Sequence, residues 1–184
     1  MSDEHDEHDE HDKHDRSAAD IPADAPPEAN ALSADQPFYE YWNQRAFLRW
    51  MGARISASAD GHATCTFEPG DHHRGAGVGG RAVTGAVQAY IFDIVTGAAV
   101  ASLADGRRPQ VTVSLDVTFE HPAYDAPLTF EASVQGGGKQ LFFVEGVCHD
   151  VNGRVTSRAR AIYRRFEKRL LAPPDAAGAP EIGE

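Results

Sequence analysis

Residues 82–104 read AVTGAVQAYIFDIVTGAAVASLA, and this stretch decides the fold of the chain. Apart from one phenol, its only ionisable side chain is that of Asp93. The pattern predicts a helix of about five turns over Gly85–Leu103, with Thr84 as its N-cap and Asp105-Gly106 at its end. A helix that is apolar on nearly every side is expected to be buried on nearly every side.

A membrane span would also account for so apolar a run. However, Gln88, Asp93 and Thr96 lie inside the run, and an amphipathic segment follows it. Residues Val111–Glu120 alternate apolar and polar side chains without exception, which is typical of a strand with one dry and one wet face. We therefore expect a core helix in a soluble protein and no membrane partner.

Further elements are predicted on both sides of this helix. A helix is expected over Phe38–Met51, and Gly52 is placed to stop it. The Asp60-Gly61 and Asn152-Gly153 pairs indicate hairpin turns. Five strands are expected besides the one already named: Arg54–Ser58, His62–Glu68, Leu128–Val134, Gln140–Asp150 and Arg154–Phe166. The order of elements implies an α+β domain in which a curved antiparallel sheet of five to six strands wraps one long central helix.

Charge separates the domain from its N-terminal tail. The chain has 184 residues and a net charge of −11, and residues 1–37 hold twelve acids against Lys13 and Arg16. The domain is therefore nearly neutral, which argues against a nucleic-acid partner held by a global basic field. We predict disordered tails at 1–37 and 171–184, because neither can build a core, and one folded domain over 38–170.

The tail also repeats histidine every third residue, at His5, His8, His11 and His14. One interpretation is a loose tract for divalent metals, and the other is a solvated arm that keeps the protein soluble. We favour the arm and predict no metal site and no cofactor. Two cysteines without metal-ligand spacing, and an N-terminus without an apolar signal, favour a reducing, cytoplasmic location.

Asp93 is the first candidate functional residue. A carboxylate in apolar surroundings costs several kcal/mol unless something compensates it. Its neighbours on the same helical face are mostly small, which leaves space for a substrate or a partner subunit. The alternative is a purely structural role, in which the carboxylate bonds a backbone N–H or a side chain across an interface.

The start of the same helix supplies a second element. The backbone N–H groups around Thr84, Gly85 and Ala86, with the positive end of the helix dipole, suit an oxygen that gains negative charge. Eight residues separate Gly85 from Asp93, about 12 Å along the helix. Gly85 and Asp93 of one chain therefore cannot both contact the same carbonyl group, so a second subunit must supply one of them.

The chain resembles the hotdog-fold acyl-CoA thioesterases of the 4-hydroxybenzoyl-CoA thioesterase superfamily, and within them the PaaI-like branch. The resemblance covers about residues 70–166 through three stretches: VTGAVQAYIFDIVTGAAVASL, VTVSLDVTFEHPA and GGGKQLFFVEGVCHDVNGRVTSRARAIY. It implies that Asp93 is the general base or nucleophile, that the Gly85 amide polarises the thioester carbonyl from the other subunit, and that Thr112 assists. It also implies a homodimer or tetramer.

Three positions depart from the family pattern. Thr84 stands where the family has a histidine, Ala86 replaces its second glycine, and Val78 replaces an asparagine. His72 and His73 lie in the preceding loop and are candidates to substitute for the missing histidine. Related hydratases pair their aspartate with a histidine five residues later, where this chain has Ala98, so hydrolysis is favoured over dehydration.

The remaining candidates concern substrate binding. Thr84, Ala86 and Tyr90 are predicted to line the site, and Arg158 and Arg160 belong to an arginine row that is either a phosphate-binding surface for CoA or a solvated sheet face. The sequence leaves open whether the aromatic residues line an acyl pocket or pack the core: Tyr90, Phe92 and Phe142. We predict hydrolysis of acyl-CoA to acid and CoA, with a non-catalytic acyl-CoA or acyl-chain binder as the alternative.

Overall fold

The computed structural model describes residues 38–103 and 108–166. The predicted tails at 1–37 and 171–184 lie outside the described residues, as do residues 167–170 and the Asp105-Gly106 pair. The described part contains three α-helices: α1 Phe38–Asn43, α2 Ala46–Met51 and α3 Gly85–Ser102. It contains eight strands: β1 Ala53–Ala59, β2 His62–Phe67, β3 Arg74–Ala76, β4 Ala82–Val83, β5 Gln110–Phe119, β6 Leu128–Gly137, β7 Leu141–His149 and β8 Val155–Arg165.

Six of the strands form one antiparallel sheet in the order β1-β2-β6-β7-β8-β5. The helix α3 lies against the inner face of this sheet, with Ile91, Phe92 and Val95 fully buried. Gly146 on β7 allows a close approach, because a Cβ atom there would lie 3.0 Å from the Phe92 ring. The predicted α+β hotdog architecture, one long helix wrapped by a six-stranded antiparallel sheet, is confirmed.

By length and composition alone, α3 would suffice to cross a membrane, but half of that segment is buried inside the domain. The hydrophobic effect against the sheet therefore accounts for its apolar character.

The single helix predicted over Phe38–Met51 is wrong. The structure has α1 and α2 instead, and Arg45 between them takes an extended conformation. The cause is tertiary: the Asn43 side chain accepts the backbone N–H of Ile55 at 2.9 Å and donates to the Ile55 carbonyl at 2.8 Å. These two bonds tie the end of α1 to β1, and the chain then turns so that Leu48 on α2 enters the core.

Two burial predictions are wrong for a single chain. The face of α3 that carries Ala86, Tyr90 and Asp93 is exposed, not buried. Part of the predicted dry face of β5 is also open, since Val113 is 56% and Phe119 51% exposed, whereas Leu115 and Val117 pack half-buried against the core. The reason is that β5 is an edge strand, with β8 on one side and no strand of the described residues on the other.

Candidate functional site

The Asp93 carboxylate is held by two hydroxyl groups from neighbouring strands. The Thr112 hydroxyl on β5 donates to Oδ1 of Asp93 at 2.7 Å, and the Tyr163 hydroxyl on β8 is 3.1 Å from the same oxygen. The single proton of Tyr163 is shared with the backbone carbonyl of Asp93, which lies closer, at 2.6 Å. No hydrogen bond from residues 38–103 or 108–166 reaches Oδ2 of Asp93, so that oxygen is available to water or substrate.

A β-bulge brings Thr112 to this position. In a regular strand Thr112 would share a face with Ser114, because side chains alternate. The pairing of β5 with β8 instead aligns Thr112 with Tyr163 and Ser114 with Ile162, so Val113 is an extra residue. One extra residue reverses the parity of the strand at that point, and the Thr112 hydroxyl therefore faces α3.

Tyr163 is a functional candidate that sequence reasoning missed. Its side chain is 3% exposed, and its hydroxyl lies 3.0 Å from the Thr96 hydroxyl as well as against Asp93. Burial raises the pKa of Tyr163 above its ordinary range, so the phenol stays protonated. A signal existed in the sequence, because Tyr163 follows Ala159 and Ala161 at the same parity, and a phenol on a buried face needs a polar partner.

The first turn of α3 presents the second predicted element. Thr84 occupies the N-cap position with an extended backbone, but its side chain makes no capping hydrogen bond, so the cap predicted there is wrong in that respect. The N–H groups of the first turn are consequently left for other acceptors. The Phe119 ring covers Gly85 so closely that a Cβ atom there would lie 2.9 Å from it, whereas Ala86 is exposed.

A groove of about 440 Å³ opens beside Asp93 and runs along α3. Its walls are mainly apolar and aromatic, and Tyr90 belongs to them, whereas Phe92 and Phe142 are buried in the core. Burial and the charge of Asp93 raise the pKa of Tyr90. The lining includes Trp42, Phe47, Tyr90, Ile94, Ala101 and Arg108. Such a groove suits an apolar group held next to the Asp93 carboxylate.

Arg158 and Arg160 lie away from Asp93 and the groove. Their neighbours on β8, Ala159 and Ala161, face α3 and are buried, so the two arginines project from the opposite face of the sheet. There Arg158 pairs with Glu120 at 2.8 Å and Arg160 pairs with Glu145 at 3.6 Å. Within one chain the structure does not bring them together with Asp93. Their role in binding CoA phosphates stays a prediction.

The loop histidines differ from each other. His72 is exposed, whereas His73 is 2% exposed and its ring accepts the backbone N–H of Gly70. Nδ1 of His73 is thus engaged in its own turn, whereas its buried Nε2 has no hydrogen-bond partner among the described residues. Among the residues that the structure describes, no group of three His, Cys, Asp or Glu side chains is arranged to hold a metal ion.

Comparison with known proteins agrees with this architecture. Residues 80–157 match the model of the thioesterase superfamily. The match spans α3 and strands β5 to β7, and it supports the resemblance inferred from the sequence. No curated protein sequence matches the chain significantly.

Solved structures share the fold at low sequence identity. The PaaI protein of the phenylacetic acid degradation operon of Escherichia coli is 18% identical with a TM-score of 0.61, covering 69% of this chain and 88% of its own. A thioesterase family protein from Silicibacter pomeroyi is 19% identical with a TM-score of 0.62, covering 69% and 93%. A thioesterase from Haemophilus influenzae is 13% identical with a TM-score of 0.62, covering 71% and 92%.

Proposed function

We propose that the protein is an acyl-CoA thioesterase that works as a homodimer in the cytoplasm. The observation that carries the proposal is the Asp93 carboxylate, whose Oδ1 is held by Thr112 and Tyr163 while Oδ2 stays open beside an apolar groove. A carboxylate fixed in this way presents one oriented oxygen to water, which is the requirement for general-base catalysis.

The chemistry follows from this geometry. Asp93 takes a proton from a water molecule whose oxygen attacks the thioester carbonyl, or it attacks the carbonyl itself and water later hydrolyses the anhydride. In either case the carbonyl oxygen becomes negative, and the amide of the partner subunit's Gly85 stabilises it. The C–S bond then breaks, and the CoA thiolate leaves and takes up the proton from Asp93 or solvent.

Two features support a second subunit at the site. Gly85 and Asp93 lie about 12 Å apart on the same helix, so one chain cannot present both to one carbonyl. The exposed face of α3 adjoins β5, whose unpaired edge carries Val111, Val113 and Phe119, each about half exposed. An open edge with apolar side chains is a surface on which a second copy can dock.

Substrate binding is divided between two regions in this proposal. The acyl group occupies the groove beside Asp93, in contact with Tyr90. Thr84 and Ala86 flank the amide that holds the oxyanion. Binding of the CoA phosphates by Arg158 and Arg160 requires their ion pairs with acidic side chains to open, because both guanidinium groups are engaged in this structure.

The test is the Asp93→Asn variant, which keeps the shape of the side chain but cannot accept the proton. We expect thiol release from a panel of aryl- and alkyl-CoA esters to fall by about two orders of magnitude or more. The matched control is Asp60→Asn, since Asp60 is an exposed acid in the turn between β1 and β2 and does not line the groove. An Asp93→Asn variant as active as the wild type would refute the mechanism.

The replacement of the family's histidine by Thr84 favours a second candidate, a binder of acyl-CoA or acyl chains without turnover. Thr84 makes no capping bond that would orient the first amides of α3. Tight binding of CoA esters by calorimetry without any release of thiol would select this candidate over the thioesterase.

A further inference from the structure

A short turn ahead of α3 contains a buried histidine that the proposed mechanism does not use. His73 ends a 3₁₀ turn over Asp71–His73 and is only 2% exposed. Its ring lies 5.0 Å from Phe67 of β2, 6.5 Å from Trp50 of α2 and 3.8 Å from the ring of His72, measured between centroids. The turn is thus anchored to the domain through the His73 side chain.

Two hydrogen bonds link this anchor to the start of α3. The Nδ1 atom of His73 accepts the backbone N–H of Gly70 at 3.0 Å, which closes the turn together with the backbone bond from the His73 N–H to the Gly70 carbonyl at 3.1 Å. The backbone carbonyl of His73 accepts the N–H of Thr84 at 3.0 Å. Thr84 directly precedes Gly85, whose amide is the proposed oxyanion donor, so the His73 carbonyl fixes the backbone at the residue before that amide.

We infer that neutral His73 is a positioning residue for the Gly85 amide, acting through the closed turn and the bond from its carbonyl to Thr84. This inference rests on the proposed function of Gly85. It also explains how an oxyanion donor is preorganised when Thr84 supplies no capping hydrogen bond. The His73 side chain holds the donor from outside the helix, and it does not touch the substrate.

The arrangement requires the neutral form of the ring. Nδ1 must carry a lone pair to accept the Gly70 N–H, and protonation would place two N–H groups against each other. Burial, together with the nearby His72 and Arg74, lowers the pKa of His73. The other elements in contact with the ring, α2 and β2, present the uncharged Trp50 and Phe67, and the acid of the turn, Asp71, is exposed.

The direction of the pH effect follows from that shift. The pKa of His73 is lower in the folded chain than its ordinary value of 6.5, so the unfolded state binds the proton first as the pH falls. The contribution of the closed turn is fully present above pH 6.5 and is lost as the pH falls toward the folded pKa. The Gly85 amide is then expected to lose its fixed position.

Three variants of the full chain test the inference. His73→Asn keeps a side-chain acceptor near the place of Nδ1 and does not titrate. His73→Phe keeps a buried ring but removes the acceptor. His72→Asn removes the exposed neighbour and is the control. Amide hydrogen exchange by NMR gives the protection factor of the Thr84 N–H between about pH 5 and pH 7.5, and thiol release gives kcat and KM over the same range.

In the wild type we expect Thr84 protection and kcat to fall together by about tenfold toward the acid end, with KM nearly unchanged. In His72→Asn the same fall should begin at a higher pH, because His72 contributes to the lowered pKa of His73. His73→Asn should keep both values nearly constant. His73→Phe should lack Thr84 protection at every pH. If His73→Phe does not fold, the pH dependence of Thr84 protection and of kcat is compared between the wild type and His73→Asn alone.

The inference is overturned if Thr84 protection in the wild type does not depend on pH, or if His73→Asn follows the same acid limb as the wild type. Failure of the proposed function gives a different result. Thiol release would then be absent in all variants, while the pH dependence of Thr84 exchange would still report whether His73 closes the turn.

Discussion

The Thr112 hydroxyl and Oδ1 of Asp93 lie 2.7 Å apart, so a side chain on the edge strand of the sheet fixes a carboxylate in the middle of the central helix. This contact depends on the bulge at Val113, which turns Thr112 toward α3. A hydrogen bond to a charged acceptor is among the stronger ones in proteins, so it sets the direction in which the free oxygen Oδ2 points.

Removal of the Thr112 hydroxyl should therefore reduce catalysis more than stability. Thr112 is exposed in the chain, so Thr112→Val keeps the β-branched shape and leaves no buried polar group behind. We expect kcat for thioester hydrolysis to fall by about tenfold, because an unanchored carboxylate samples unproductive rotamers. Thr112→Ser, which restores the donor, should recover most of the rate, and a Thr112→Val variant with wild-type kcat would contradict the assigned role.

Removal of the Tyr163 hydroxyl should reduce both catalysis and stability. In Tyr163→Phe the ring stays buried, but the bonds to the Asp93 carbonyl and to Oδ1 are lost. We expect the free energy of unfolding to fall by about 1–2 kcal/mol and kcat to fall as well. Urea unfolding and thiol release measure the two effects, and Tyr39→Phe on α1 is the control.

Tyr163→Phe should also change how much the free energy of unfolding falls at alkaline pH. The pKa of Tyr163 is raised by burial, so its neutral form contributes stability below the ordinary tyrosine pKa of about 10, and that contribution is lost as the pH rises toward the folded value. Tyr163→Phe should lose less stability than the wild type between about pH 9 and pH 11. Equal losses would show that the phenol ionises freely in the folded chain.

Hydrophobic periodicity is sufficient to predict the central helix and the strands β6, β7 and β8 from the sequence, because each of them packs against a core within the same chain. Sequence reasoning failed where the outcome depends on pairing between distant segments. The bulge at Val113 interrupts a perfect alternation of apolar and polar residues, and only the register with β8 reveals it. The break between α1 and α2 contains neither glycine nor proline, and it follows from the bonds between Asn43 and Ile55.

The residues of the candidate site also differ in how far the sequence alone could predict them. Asp93 stands out in the sequence as the only acid in an apolar run, and so does Gly85 at the helix start. Tyr163 stands out only as a phenol on an apolar face, since its role depends on which residues face it across the sheet. The exposed faces of α3 and β5 were expected to be buried because a sequence pattern records apolar character without recording which copy of the chain covers it.

Phe119 and Gly85 form a contact that can be tested by a double-mutant cycle. A Cβ atom at position 85 would lie 2.9 Å from the Phe119 ring. Gly85→Ala should therefore lower the free energy of unfolding by about 1 kcal/mol in the wild type. In a Phe119→Leu background the same substitution should be neutral or stabilising, because alanine is the better helix former. Thermal unfolding of the four proteins gives the coupling, and additive effects would show that the ring does not restrict this position.

The groove beside Asp93 can be tested by filling its far end. Ala101 lines the groove and lies two helical turns beyond Asp93, about 12 Å along α3. Ala101→Leu adds apolar volume there and leaves Asp93, Thr112 and Tyr163 untouched. We expect KM for long-chain acyl-CoA esters to rise by about tenfold, because part of the acyl group loses its place, while kcat/KM for acetyl-CoA stays unchanged.

Ala46→Leu is the control for that substitution, since Ala46 is an exposed alanine on α2 that does not line the groove. Its chain-length profile should match the wild type, because a leucine in solvent does not alter the shape of the site. Initial rates over a series of saturated acyl-CoA esters of increasing length give the comparison. If Ala101→Leu hydrolyses long and short esters with the same relative rates as the wild type, the acyl group does not lie along α3. The groove is then not part of the substrate site. The role of Asp93 is tested separately, by the Asp93→Asn variant.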